Sequence, residues 1–311
     1  MMVHNWSDYK SNAWVQWCPA CGNFGILTAI QRAFADLDLS PEKTTVVSGI
    51  GCSSRIPYYL KTSNVHSLHG RPIPVAEGIK LANPEQTVIV ASGDGDLLGI
   101  GAGHFVALGR RNLQITVILH DNQVYGLTKG QAAPTLPLWV KTKALDSPNI
   151  QTQINPPLLA FASGYTFIAR AYAYHIDQLR ELIKAGIQHK GTALIDVLQP
   201  CPTYNDIMTK EWYEKRIYYL NTEDPSWDPT IASQEDFDRK SSKILEKMTE
   251  WGERIPLGIF YRNISIEPME SRIEKILPGY LQYPPAKRPI EIKSKALVHP
   301  FTEFKDRLVQ T

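Results

Sequence analysis

The chain holds four cysteines, Cys18, Cys21, Cys52 and Cys201, and their spacing limits what they can do. Cys18-Pro19-Ala20-Cys21 is a C-x-x-C pair, which suits half a zinc site, a redox dithiol or two ligands of an iron–sulfur cluster. A zinc ribbon needs a second such pair, whereas Cys52 and Cys201 stand alone. A redox dithiol sits at the turn after a strand, and no clear strand precedes Trp17. Four thiolates from three distant segments can hold a [4Fe–4S] cube, and Cys201-Pro202 has the Cys-Pro ending of ferredoxin runs. Trp6, Trp14 and Trp17 are placed to shield such a site or simply to fill the core.

A second constellation is Gly93-Asp94-Gly95-Asp96, followed by an apolar helix pattern over Leu97–Leu108. Glycines let backbone N–H groups approach a phosphate, and the N-terminus of a helix favours its charge. A carboxylate in such a loop would repel the anion unless a hard cation such as Mg²⁺ lay between them. Asp94 offers one oxygen, Asn122 a side-chain oxygen, and Val124 its carbonyl two residues on. A nicotinamide loop is excluded because Leu98 stands where the dinucleotide fingerprint needs glycine. The P-loop pattern fails too, since no Gly-Lys-Ser/Thr follows.

The elements that must position these residues alternate. Short β-branched runs at Thr44–Ile50, Thr87–Ala91, Ile115–Leu119, Phe167–Ala171 and Ala193–Leu198 read as buried strands. Ile26, Leu27, Ile30, Phe34 and Leu37 recur at helical spacing, as do Ile176, Leu179, Leu182, Ile183 and Ile187, with Gly191 as a stop. The expected fold class is α/β, an open, mostly parallel, doubly wound sheet covered on both faces, with an irregular C-terminal extension. Ligands of such sheets bind beyond the carboxyl ends of the strands, where Gly49–Ser53, Gly93–Asp96 and Asp121–Thr128 fall. Ser233–Asp236 reads as a capping box opening a helix through Phe237, Leu245, Met248 and Trp251.

Composition limits the rest. The 311 residues carry 33 basic and 31 acidic side chains, a net charge of +2, so neither nucleic acid nor a membrane surface is an expected partner. No apolar run reaches the length of a membrane helix and no signal-peptide core opens the chain, which points to the cytoplasm. The segment 201–237 is locally acidic, with 8 acidic against 3 basic residues. We divide the chain into a core domain over 1–200 and a C-terminal segment over 201–311, the latter packing on the core and on a partner. Its stretch 277–289 is rich in Pro and Tyr and reads as an extended, exposed arm suited to docking.

These motifs together resemble a family. WCPACGNFGIL (17–27), GIGCSSR (49–55), LHGRPIPVAEGIKLANP (68–84), SGDGDLLGIG (92–101) and DNQVYGLTKGQ (121–131), extended by Cys201-Pro202, resemble the β subunit of two-subunit archaeal 2-oxoacid:ferredoxin oxidoreductases. The resemblance implies that Asp94 and Asn122 hold the Mg²⁺ of thiamine diphosphate. The family's usual Asn-Asn pair is Asp121-Asn122 here, so the metal is assigned to the second position. It further implies that Ile50, Gly51, Cys52, Ser53 and His69 line the cofactor, with Gly95, Asp96, Leu127 and Thr128 flanking it, and that the four cysteines ligate one [4Fe–4S] cluster. Cys52, lying inside a cofactor loop, would bring that cluster within electron-transfer reach.

The expected activity is coenzyme A-dependent oxidative decarboxylation of 2-oxoacids such as pyruvate or 2-oxoglutarate, with electrons passing through the cluster to ferredoxin. An α subunit would supply the other half of the cofactor site, since no second doubly wound domain is visible here. Lys129, between two glycines in the loop after Asn122, is the candidate for meeting the anionic oxoacid or coenzyme A. The rivals are a non-oxidative thiamine-dependent decarboxylase or carboligase, and a zinc-stapled module without catalysis.

Overall fold

A computed structural model describes residues 4–288. Its centre is one sheet built of β1 (Thr44–Ser48), β2 (Ser63–His66), β3 (Thr87–Gly93), β4 (Ile115–Asp121), β7 (Phe167–Tyr172), β8 (Ala193–Leu198), β9 (Ile217–Tyr219), β10 (Thr230–Ile231) and β11 (Ile255–Asn263). A separate two-stranded hairpin, β5 (Val124–Tyr125) with β6 (Gln131–Ala132), projects from the end of β4. The strand order is β10-β11-β7-β8-β4-β3-β1-β2, with β9 paired to β11. Pairing is parallel except for β11 against β7.

The helices are α1 (Asn23–Asp36), α2 (Pro72–Ala82), α3 (Ala102–Arg111), α4 (Pro156–Ser163), α5 (Ile176–Gln188), α6 (Lys210–Glu214), α7 (Leu220–Glu223), α8 (Gln234–Thr249) and α9 (Met269–Ile276). Because both faces of the sheet are covered, alternate residues of one strand serve different cores. Ile89 and Ala91 of β3 pack with α1 and α5, while Val88 and Val90 pack with α2, α3 and α4. The expected doubly wound α/β architecture is therefore present. The strand order reverses at β1, whose neighbours β2 and β3 lie on opposite sides, and this opens a crevice at the carboxyl ends.

Several local expectations are corrected. β1 stops two residues before Ile50, and β3 and β4 run on to Gly93 and Asp121. The helix expected over Leu97–Leu108 is two pieces, a π-helical turn at Gly95–Ile100 closed by Gly101 N–H to Asp96 O (3.1 Å), and then α3. Of the expected capping box only half forms at α8: Ser233 Oγ accepts from Asp236 N–H at 3.2 Å, while the Asp236 carboxylate accepts from Ala232 N–H (3.1 Å) rather than from Ser233 N–H. The helix buries Ile244 and Met248, however, leaves Leu245 exposed, and ends before Trp251.

The acidic segment 201–237 is partly neutralised within the chain, where Asp224 meets Lys243, Asp228 meets Lys240 and Asp236 meets Arg239 of α8. Nor does the 277–289 arm project freely. Tyr280 is buried and donates to the Leu81 carbonyl at the end of α2 (2.7 Å), while Pro285–Lys287 form a short 3₁₀ turn. Residue 289 and those after it lie outside the described residues, as does the N-terminal Met1–Val3. Among the described residues no helix is long and apolar enough to cross a membrane.

Candidate functional site

The loops after β1, β3 and β4 meet at a cavity of about 180 Å³. Its lining includes Ile50, Gly51, Cys52, Ser53, His69, Asp94, Gly95, Asp96, Asn122, Val124, Leu127 and Thr128, so twelve positions singled out in the sequence converge. Lys129 is not among the lining residues. It sits exposed in the β5–β6 turn with φ +80°, beside Gly130 at φ +106°. Left-handed backbone at a lysine is uncommon, and here it turns the chain so that Gly130 N–H reaches the Tyr125 carbonyl (2.9 Å).

Asp94 begins the π-helical turn and is fully buried. Its Oδ2 accepts from Gln123 N–H at 2.8 Å and from Thr135 Oγ1 at 2.5 Å. Thr135 Oγ1 also lies 2.8 Å from Asp121 Oδ1. Burial pushes the Asp94 carboxyl up to about 6. Asp121 is raised further, by burial and by the charges of Asp196 and Asp94. No basic side chain hydrogen-bonds or ion-pairs with Asp94, so its negative charge has no partner within the described residues. Asn122 Oδ1 accepts from Val124 N–H (3.0 Å), an arrangement set by the left-handed Gln123 (φ +67°) between them.

Asp96 lines the cavity and is also heavily hydrogen-bonded within the chain. Its Oδ1 accepts from Ile50 N–H (3.0 Å) and Gly70 N–H (2.7 Å) and lies 2.6 Å from His69 Nδ1, while Oδ2 accepts from Ser92 Oγ (2.8 Å). Through these bonds Asp96 ties three segments together at the cavity wall. Gly49 is required there, since a Cβ would overlap the Asp96 carboxylate. His69 is half-buried and lines the cavity.

The four cysteines converge beside this cavity. All are free: Cys18 is exposed, Cys52 and Cys201 are half-buried and Cys21 is buried. Cys21 donates its N–H to the Cys18 carbonyl (3.1 Å), with Pro19 and left-handed Ala20 (φ +58°) at the turn centre, the pattern of a type II turn. Burial pushes the Cys21 thiol up to about 12, and the charges of Cys201, Cys18 and Cys52 add to that shift. That mutual repulsion marks the thiols as neighbours. Among the described residues no three His, Cys, Asp or Glu side chains are close enough to hold one metal ion, so the convergence is loose. Trp17 is packed in the core and donates Nε1–H to the Cys52 carbonyl at 2.7 Å, whereas Trp6 and Trp14 are exposed.

Some supporting residues were not singled out in the sequence. Thr135 is one threonine in a loop, Tyr125 lines the cavity and closes on Gly95, and Gln199 lies behind Asn122. Only Gln199 had a legible cue, as a polar residue ending an apolar strand two positions before a candidate ligand.

Comparison with known proteins agrees with this geometry. Residues 49–197 match the thiamine pyrophosphate enzyme C-terminal TPP-binding domain, and residues 201–277 match the C-terminal part of the pyruvate ferredoxin oxidoreductase β subunit. The chain is 64% identical over 308 residues to 2-oxoacid:ferredoxin oxidoreductase 2, subunit beta, of Aeropyrum pernix, covering 99% of each. The chain belongs to the 2-oxoacid:ferredoxin oxidoreductase β-subunit family. A second family member, from Saccharolobus solfataricus, is 58% identical over 297 residues, covering 95% of this chain and 96% of its own. The 2-oxoglutarate:ferredoxin oxidoreductase of Magnetococcus marinus, solved with 2-oxoglutarate, coenzyme A and succinyl-CoA bound, matches with a TM-score of 0.82 at 35% identity. That match covers 89% of this chain and 90% of that one. As an oxidoreductase β subunit, this chain is one part of a multi-subunit enzyme, and its thiamine diphosphate domain contains every cavity residue named above as well as Lys129.

Proposed function

We propose that this chain, joined to an α subunit, carries out coenzyme A-dependent oxidative decarboxylation of 2-oxoacids, yielding an acyl-coenzyme A and CO₂ and delivering two electrons to ferredoxin. Thiamine diphosphate supplies the electron sink for loss of CO₂ when it is bound. The donor set fits the cation that accompanies it. Asp94 is a buried carboxylate without a positive partner, and Asn122 and the Val124 carbonyl stand beside it at the same cavity. Ile50, Gly51, Cys52, Ser53 and His69 cradle the cofactor. Gly51 (φ +136°), with open space where a Cβ would project, lets the backbone approach it closely. Leu127 and Thr128 cover it from the β5–β6 side, and Gly95 opens the turn beneath it. Asp96 acts here by holding these loops in register.

Cys18, Cys21, Cys52 and Cys201 are assigned to one [4Fe–4S] cluster. Their loose convergence suits a polynuclear group, each of whose corners takes one thiolate. The observation that carries the whole reading is the position of Cys52. It lines the cofactor cavity and also belongs to the thiol group, so one residue joins the two centres. Lys129, exposed at the rim, provides a mobile positive charge for the oxoacid carboxylate or the coenzyme A phosphates.

The test is anaerobic co-purification with the α subunit, followed by metal analysis and assay with pyruvate or 2-oxoglutarate, coenzyme A and ferredoxin. About four irons and four sulfides per β chain with coenzyme A-dependent ferredoxin reduction is the expected result. Zinc in place of iron would support the non-catalytic module, and CO₂ release without ferredoxin reduction would support the non-oxidative enzyme.

A further inference from the structure

Gln199 stands between the two centres. It follows β8, is 1% exposed, and extends the β4–β8 ladder by donating its backbone N–H to the Asp121 carbonyl (2.8 Å). Each end of its side-chain amide is used. Oε1 accepts from Asn122 Nδ2 at 2.9 Å. Nε2 donates to the Pro200 carbonyl at 2.8 Å and to Cys21 Sγ at 3.6 Å.

The orientation is fixed by donor counting. Asn122 Oδ1 is committed to Val124 N–H, so its Nδ2 must face Gln199. Turning the Gln199 amide over would oppose two donors at Asn122 and two acceptors at Pro200. The packing leaves this path open only because residue 22 is glycine, where a Cβ would stand 2.9 Å from Gln199 Cγ.

We propose that Gln199 is a positioning residue coupling the diphosphate–metal end of the site to the cluster, orienting Asn122 from behind and donating to the Cys21 sulfur to set the cluster's reduction potential. The inference rests on the cluster and metal assignments of the proposed function. A hydrogen bond to a ligating sulfur stabilises the negative charge that grows on reduction and so raises the potential. Because Asn122 and Cys21 share one amide, polarisation of either strengthens the bond to the other.

The experiment uses the anaerobically purified αβ complex and two variants. Gln199→Met removes both hydrogen bonds at similar volume. Gln199→Glu keeps an oxygen toward Asn122 and, ionised under alkaline conditions, has no donor for sulfur. Iron content, the cluster midpoint potential and Mg²⁺-dependent thiamine diphosphate affinity are measured for each. Both variants should keep iron and show a lower potential, with electron affinity down about tenfold, or ~59 mV for one electron. Cofactor affinity should fall about 10-fold or more in Gln199→Met and stay near wild type in Gln199→Glu. That split between variants is not what a residue with only a packing role would give. Full clusters with unchanged potentials in both variants overturn the Gln199 proposal alone, and the Glu variant decides if the Met variant loses its iron. A wild-type complex without iron overturns the cluster assignment and this inference with it.

Discussion

At the scale of single residues, the site is legible where a side chain's chemistry is hard to explain otherwise. If Asp94 holds the proposed Mg²⁺, Asp94→Ala should weaken Mg²⁺-dependent thiamine diphosphate binding by more than the roughly 10–100-fold that a supporting residue costs. Its thermal stability without cofactor should hardly fall, because an uncompensated buried charge is removed; calorimetric titration beside a melting curve checks both. Cofactor affinity that survives the change removes Asp94 from the metal. Lys129 carries a separable prediction, since it is exposed and outside the cavity lining. Lys129→Ala should raise the KM for coenzyme A or for the oxoacid several-fold, with iron content and thiamine binding intact; unchanged kinetics for both substrates return it to the solvated surface. Types and spacing singled out the cysteines, Asp94 and Asn122, and the fold brings Cys52, Asp94 and Asn122 to one cavity. Sequence placed Asp96 beside the site, where it lines the cavity, but could not show that its carboxylate also takes four donors from within the chain. Thr135 and Gln199 escaped it for a related reason: their roles exist only through partners brought close by the sheet.

Among the elements, the strands were legible because both faces of a central parallel strand are buried, which writes a continuous apolar run into the sequence. Ala193–Leu198 matches to the residue even though it contains Asp196, which is buried against Arg170 at 2.9 Å. Edge and antiparallel strands were not legible: β2 is Ser-Asn-Val-His and largely exposed, and β11 is interrupted by Pro256 and Gly258. The seam joining the end of α5 to β7 supports a pH prediction. His189 is buried, with Nε2 2.8 Å from Thr166 Oγ1, whose own proton goes to Asn112 Oδ1, so His189 donates. Burial, and then Arg262, push its pKa down to about 4. The unfolded chain therefore takes up a proton near pH 6.5 that the folded chain refuses until about pH 4. The contribution of this site is fully present above pH 6.5 and falls by up to about 3 kcal/mol as pH drops through that window. Chemical denaturation of wild type and His189→Gln between pH 7 and 4 should show their stability difference shrinking toward acid; parallel curves would rule the site out.

For the whole molecule, the proposed reading is that this chain carries half of an active site. The cavity of about 180 Å³ is smaller than the ~300–1,000 Å³ of a complete small-molecule pocket. It adjoins an open cleft of about 500 Å³ that shares Ile50, Gly51 and Leu127 with it and adds Trp14 and Tyr58. Ile50, Leu127, Trp14 and Tyr58 are exposed, and so are Leu68 and Ile100 nearby in sequence to His69 and the π-helical turn. β-subunit membership implies an α-subunit partner, and we propose that it docks over these exposed apolar side chains at the cavity mouth. On the proposed reading the α subunit closes this face and supplies the remaining cofactor contacts. The isolated chain should therefore assemble its cluster and bind thiamine diphosphate weakly, yet reduce no ferredoxin with any 2-oxoacid. Adding purified α subunit should restore turnover and tighten cofactor binding together, because both depend on closing the same cavity. Trp14→Asp, at an exposed position away from the metal donors, should weaken subunit association in sedimentation while leaving the iron content of the free chain unchanged. Robust oxoacid-dependent ferredoxin reduction by the β chain alone would show that the cavity is complete without a partner.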